Sequence, residues 1–313
     1  MNSYLAVDYS GKIHKKIVRK IIGRLAERFS ECAGSELEYI GMGSLFYMDF
    51  TEFYSRGFIG KMKSIEFMLD FDDNFDERKY KRFLMNRPYE AIELLPMSVR
   101  EAVDTLPFDE DSLVWFDYDT TLTHENIEES ADVIRKAKKS LMLVSNTGTQ
   151  VSYMYKSDRR SLDMEVVRDS LGTIVGPDND TFFEELTWDS FYESLHDIVT
   201  PYYERVVSEK NASEKRRFKL FEVGSIKYKN PSFMQADIRL LVDLDEIPEE
   251  KIKETVLSSD DAGFHLLDMS ILTEKEKSIF QERKGEAPEV LADEIYIEPE
   301  YISKYYRYWD DVF

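Results

Sequence analysis

The stretch YIGMGSLFYMDF, residues 39–50, sets two glycines one residue apart directly after an apolar run and then turns aromatic. Leu37–Met42 reads as a short buried strand and residues 45–55 as the helix after it, so Gly41 and Gly43 fall at a strand-to-helix turn. Glycines there let backbone approach a ligand closely, and the first turn of the following helix offers unpaired amide groups to a carboxylate or phosphate. A lone G-x-G is more often a plain turn than a ligand cradle. Its neighbours decide which it is.

Outward from this turn the chain alternates. KMKSIEF gives a second strand ending near Glu66, YEAIELL (89–95) a third, SLVWFDYD (112–119) a fourth and SLMLVSN (140–146) a fifth. Between them, SVREAVDTL (98–106) starts with Ser98 as an N-cap and Glu101 completing a capping box, and ENIEESADVIRKAKK (125–139) carries acids early and bases late, as a helix dipole prefers. Five short apolar strands separated by helices predict an α/β, doubly wound, mostly parallel sheet covered on both faces. Residues 217–243 give two long strands around KNPS, expected to pair antiparallel at the C-terminal side of the sheet.

The organisation expected is an N-terminal basic amphipathic helix (1–34), a Rossmann-like core (35–149), a mostly helical insertion (150–213), the antiparallel pair (214–245) and a C-terminal extension (246–313). In the first helix the apolar residues Ile13, Ile17, Ile21, Ile22, Leu25 and Phe29 recur at helical spacing, leaving Lys12, Lys15, Lys16, Arg19, Lys20, Arg24 and Arg28 to an outer basic face. That face either is solvated or neutralises the chain's own acids; contact with nucleic acid is the less favoured reading. The insertion is expected to pack near the carboxyl ends of the strands, with a helix from Trp188 to Val207.

With 313 residues, 42% of them hydrophobic, the chain can bury a large core. Its 41 Lys and Arg against 62 Asp and Glu give a formal charge of −21, which repels nucleic acid and anionic membranes unless a basic face is segregated. Cys32 is the single cysteine, so an internal disulfide and a cysteine zinc site are excluded, and the cytoplasm is the expected compartment. No run is long and apolar enough to span a membrane, and the first residues lack the layout of a secretory signal.

In such a sheet ligands bind beyond the carboxyl ends of the strands, where strand order reverses. Gly41–Ser44, Glu66, Asp117–Asp119 and Ser145–Gly148 then share one rim. An acid after the second strand can accept the hydroxyl protons of a ribose. These residues resemble the class I S-adenosylmethionine-dependent methyltransferases, Rossmann-like in fold, and YIGMGSLFYMDF…KMKSIE…VWFDYD is most similar to a bacterial group labelled as O-methyltransferases. The resemblance covers roughly residues 10–245, and ILTEKE in the tail shares it. It implies S-adenosylmethionine as cofactor, held by Gly41, Gly43, Ser44, Glu66 and Ser98, and an acceptor met by Asp117, Tyr118 and Asp119: an acid to take a proton, a ring to stack on a planar substrate. The acceptor would receive the methyl on oxygen or nitrogen.

The chain departs from the family in two places, where Tyr39 stands for an acid before the first glycine and Leu45 for a third glycine. A dinucleotide motif would need glycine at Phe46. The N/D-P-P-Y loop of amino-methylating enzymes is absent after the fourth strand. Metal-dependent O-methyltransferases resemble this chain at Asp117, Asp119 and Asn146, but Ser145 occupies the place of their second acid, and no metal is expected. His14, His124, His196 and His265 show no zinc spacing and read as surface or packing residues, with His124 the one to test as a base. A second reading is a methyltransferase-like scaffold without turnover, a binding or regulatory subunit of a larger bacterial assembly such as one used against phage. It would dock a protein partner through the aromatic end YISKYYRYWDDVF or the basic helix.

Overall fold

The computed structural model describes residues 13–69, 77–148, 174, 191–230, 232–267, 274–283, 285–295, 299, 302–303 and 306. Helix α1 (Ile13–Ala33) leads into strand β1 (Leu37–Met42), α2 (Met48–Ser55) and β2 (Ile59–Ile65). A single 3-10 turn (Phe67–Leu69), α3 (Glu77–Asn86), β3 (Ile92–Leu95), α4 (Val99–Thr105), β4 (Ser112–Thr121), α5 (His124–Lys136) and β5 (Leu141–Gly148) follow. Then come α6 (Phe191–Glu214), β6 (Phe218–Asn230), β7 (Ser232–Asp243), α7 (Glu249–Ile252) running on into a π turn, β8 (Gly263–Leu267), α8 (Glu274–Glu282) and α9 (Pro288–Ile295).

One eight-stranded sheet runs in the order β3-β2-β1-β4-β5-β7-β6-β8. Strand β7 is antiparallel to both its neighbours and the other pairs are parallel. The doubly wound fold with a late antiparallel pair is therefore as the sequence led one to expect. Order reverses between β1 and β4, which is where a ligand crevice opens in such a sheet.

Strand periodicity divides the core. Tyr39, Met62, Leu113, Trp115, Met142 and Val144 face α1, α2 and α3, whereas Ile40, Ile65, Val114, Phe116, Leu141 and Leu143 face α4, α5 and α6. Strand β5 is buried along its whole length, so its sequence is a continuous apolar run before it turns polar at Ser145. Helix α1 buries Ile17, Val18, Ile21, Ile22, Leu25, Ala26 and Phe29. At about 1.5–3 kcal/mol for each large side chain this stripe is what fixes the helix to the sheet.

Several expectations need correction. The basic face of α1 is narrower than its spacing suggested: Lys16 and Arg28 are exposed, but Arg19 is buried, and Lys15 and Arg24 are half-buried in ion pairs. Helix α2 starts at Met48 rather than at residue 45, because Tyr47 takes a left-handed conformation (φ 47°) that closes the preceding turn. Strand β3 begins at Ile92, and the extension holds an unforeseen strand, β8, parallel to β6. Helix α6 continues to Glu214. Most of the expected insertion, the acidic stretch at 70–76 and the end of the aromatic tail lie outside the described residues. Among those described, no helix is long and apolar enough to cross a membrane.

Candidate active site

Parallel register aligns the carboxyl ends of the central strands. Gly41 pairs with Ser64 of β2 on one side and Trp115 of β4 on the other. One pleat further along, Gly43 meets Glu66, and its N–H donates to the Ile65 carbonyl at 3.0 Å. A Cβ at residue 43 would run into Oε1 of Glu66 and the Ser64 hydroxyl. The glutamate side chain thus points at the second glycine. Ser64 is fully buried and donates to Glu66 Oε1 at 3.0 Å; Glu66 itself is 3% exposed. Burial pushes the Glu66 carboxyl up to about 8, the Ser64 hydrogen bond pulls it back, and the nearby Asp49 adds to the rise. The group is largely protonated at neutral pH.

Gly41 has a different reason to be glycine: the phenol of Tyr39, from its own strand, fills the space a side chain would take. Tyr39 is wholly buried, edge-on to Phe50 at 4.7 Å and Phe53 at 5.0 Å, and its hydroxyl donates to Asp49 in the first turn of α2. Burial raises the pKa of Asp49, against the Tyr39 hydrogen bond and the charge of Arg19. Tyrosine at the place of the family's acid therefore brings in a carboxylate from the next helix. Ser44 shapes the turn: its carbonyl accepts from Tyr47 N at 3.1 Å. The N-cap residue of α2, Tyr47, makes no side-chain cap, and the Asp49 carboxyl takes its own backbone N–H in the first turn.

Asp117 lies on the same face of β4, at the last residue before its pairing with β5 becomes irregular. Its carboxylate receives the ammonium of Lys15, reaching down from α1, and the Nδ2 amide of Asn146, from β5. Asn146 Nδ2 also donates to the Tyr228 hydroxyl at 2.8 Å, while its Oδ1 is buried with no partner among the described residues. Burial works to raise the pKa of Asp117, but the charge and hydrogen bond of Lys15, with help from Asn146 and Arg19, hold it below the usual carboxylate range. Burial would lower that of Lys15, and Asp117 more than reverses this. Asp117 is thus an ionised hydrogen-bond acceptor and a weak base. An ammonium on one oxygen and an amide N–H on the other also leave it poorly placed to ligate a cation, and among the described residues no metal-ligand cluster occurs.

Tyr118 alternates to the opposite face, where its hydroxyl donates to Glu129 Oε2 of α5 at 2.5 Å. Both groups are buried. The structure does not bring this ring to Asp117 and Gly43. The side chain of Asp119 lies outside the described residues. Ser98 caps α4 as expected: its hydroxyl accepts from Glu101 N at 3.1 Å, and the Glu101 carboxylate takes its N–H at 2.7 Å, so both polar groups serve the helix. Of the histidines, His14 and His265 are buried, and His124 opens α5 after the Thr123 cap. Spacing missed Lys15, Tyr228, Asp49 and Ser64. Only Ser64 carried a local signal, since residues 64 and 66 of one strand share a face.

The rim, the strand order and the acid beside a glycine define the class: a Rossmann-like methyltransferase. A family described as "Putative O-methyltransferase" matches residues 7–309, and the chain belongs to that family. No curated protein sequence matches at a significant level. Among solved structures, the N-methyltransferase NodS from Bradyrhizobium japonicum, in complex with S-adenosyl-L-homocysteine, is 10% identical with a TM-score of 0.42, covering 79% of this chain and 94% of its own. The O-methyltransferase TomG from Streptomyces achromogenes, in complex with SAM, is 12% identical with a TM-score of 0.38, covering 77% and 91%. An O-methyltransferase from Bacillus cereus, in complex with SAH, is 10% identical with a TM-score of 0.34, covering 76% and 94%. Similarity at that level says nothing about the chemistry of this chain.

Proposed function

We propose that the protein binds S-adenosylmethionine and transfers its methyl group to an oxygen of an acceptor. The observation that supports this most directly is the convergence of Glu66 on Gly43 at the point where strand order reverses. A glycine whose missing side chain admits a buried carboxyl to the rim fits a nucleoside site. The ribose hydroxyls would donate to Glu66, and Gly43 and Ser44 would take the methionine end. Gly41 contributes by admitting Tyr39 rather than by touching the ligand.

The cofactor's sulfonium supplies a methyl group already activated for displacement. The chain's task is alignment and exclusion of water, with little acid-base work. Asp117, kept ionised by Lys15, would accept a hydrogen bond from the acceptor's hydroxyl and orient its lone pair. The family description favours oxygen over nitrogen, and the scaffold without turnover gains no support from the family match.

Calorimetric titration with S-adenosylmethionine tests the reading. The wild type should bind, and Glu66→Ala should weaken binding by about tenfold or more, as loss of hydrogen bonds to a charged group predicts. A folded wild type that does not bind would remove the proposal.

A further inference from the structure

We infer that Ser64 is a positioning residue of this site, its hydroxyl holding the Glu66 carboxyl over Gly43 in the orientation a ribose diol requires. The inference rests on the cofactor reading above. Along β2 the positions on the α1 and α2 face run Met62, Ser64, then Glu66 just beyond the strand. Ser64 has no exposed surface, and a buried hydroxyl is costly unless bonded. Its bond goes to Glu66 Oε1, and hydroxyl and carboxyl oxygen crowd the same point above Gly43. Two further groups face the carboxyl, Asp49 from α2 and Tyr47 from the turn before it. Tyr47 spends its hydroxyl on the Phe83 carbonyl at 3.3 Å, and an anionic Asp49 repels rather than holds.

A glutamate has three rotatable bonds, and ordering them when ligand arrives weakens binding. Tying Oε1 in advance fixes the plane of the carboxyl, so Oε2 and the second lone pair of Oε1 are presented together. The same bond favours the ionised form, which is the form that accepts two hydroxyl protons. Ser64 thereby affects both the geometry and the protonation of a group it does not replace.

The test is titration of the full chain with S-adenosylmethionine from pH 6 to 9, for wild type, Ser64→Ala, Ser64→Cys, Glu66→Gln and the Ser64→Ala/Glu66→Gln double variant, with a thermal melt of each. Expected is about tenfold weaker binding in Ser64→Ala at pH 7, with the midpoint of the pH dependence moved upward. Ser64→Cys, close in size and a weaker donor, should fall between and covers the case in which the alanine variant does not fold. In the Glu66→Gln background the alanine change should cost much less. Wild-type affinity and midpoint in Ser64→Ala, or the same loss with and without Glu66, would overturn the inference and reduce Ser64 to packing. A folded wild type that binds no cofactor at any pH instead overturns the proposed function, and this inference with it.

Discussion

Lys15 and Asp117, 102 residues apart in the chain, form an ion pair between the first helix and the second half of β4. The pair ties α1 to the rim and sets the charge of the acid nearest the proposed acceptor. Their side chains are 16% and 22% exposed, so solvent screens the attraction only in part.

Lys15→Met should cost about 2 kcal/mol in urea unfolding at pH 7, because Asp117 keeps the Asn146 amide but loses its counter-charge. The sign with pH follows from the depressed carboxyl. The stabilisation is complete above the ordinary aspartate value of about 4 and disappears as pH falls through the lower folded value, so wild type and variant should converge in acid. Adding Asp117→Asn to Lys15→Met should recover part of the loss at neutral pH. A difference between wild type and Lys15→Met that is constant from pH 7 to 3 would show that the pair contributes through packing.

Cofactor affinity should depend on pH through Glu66. Its carboxyl sits at about 8, pushed up by burial, and ribose hydroxyls favour the ionised form. Binding therefore releases a proton at neutral pH. Affinity should rise from pH 6 to about 8 and then level off, by at most about tenfold per unit below the folded value. Titration in two buffers of different ionisation enthalpy counts the proton directly.

Gly43→Ala should abolish cofactor binding while Gly41→Ala should chiefly destabilise. The first inserts a methyl group against Glu66 and Ser64, in the site itself, and the second drives one into the buried Tyr39 phenol. Overpacking of this kind costs about 1–3 kcal/mol. Melting temperature and cofactor affinity, measured on both variants, separate the two glycines.

The sheet was readable because its central strands are buried on both faces, which gives β1 and β5 apolar runs that no surface strand shows. Counting along the strands then put Glu66 next to Gly43, where the structure has it. Strand β8 gave no such signal: it is five residues long, starts at a glycine with φ 98° and exposes half of Phe264. Helix α3 buries only Phe83 fully, with Tyr80 and Leu84 half-buried beside it, a stripe of three residues in a highly charged segment. The environment of Lys15 was invisible for another reason. Helical spacing assigns every lysine off the apolar stripe to solvent, and only the assembled sheet brings Asp117 to it. Tyr118 was read as a neighbour of Asp117 because the two adjoin in sequence, yet the strand's period of two sends them to opposite faces.

That alternation gives Tyr118 a role the rim does not share. Its hydroxyl is bonded to Glu129, whose pKa is raised by burial and lowered by this bond, and its ring lies 5.8 Å from Phe116 in the core under α5. Tyr118→Phe keeps the ring and deletes one buried hydrogen bond, leaving Glu129 to take up a proton more readily. The expected outcome is a loss of about 1–2 kcal/mol in stability with S-adenosylmethionine affinity within about twofold of wild type. Denaturant unfolding and calorimetry on the same preparation check both halves. A stable variant with impaired cofactor binding would return Tyr118 to the active site.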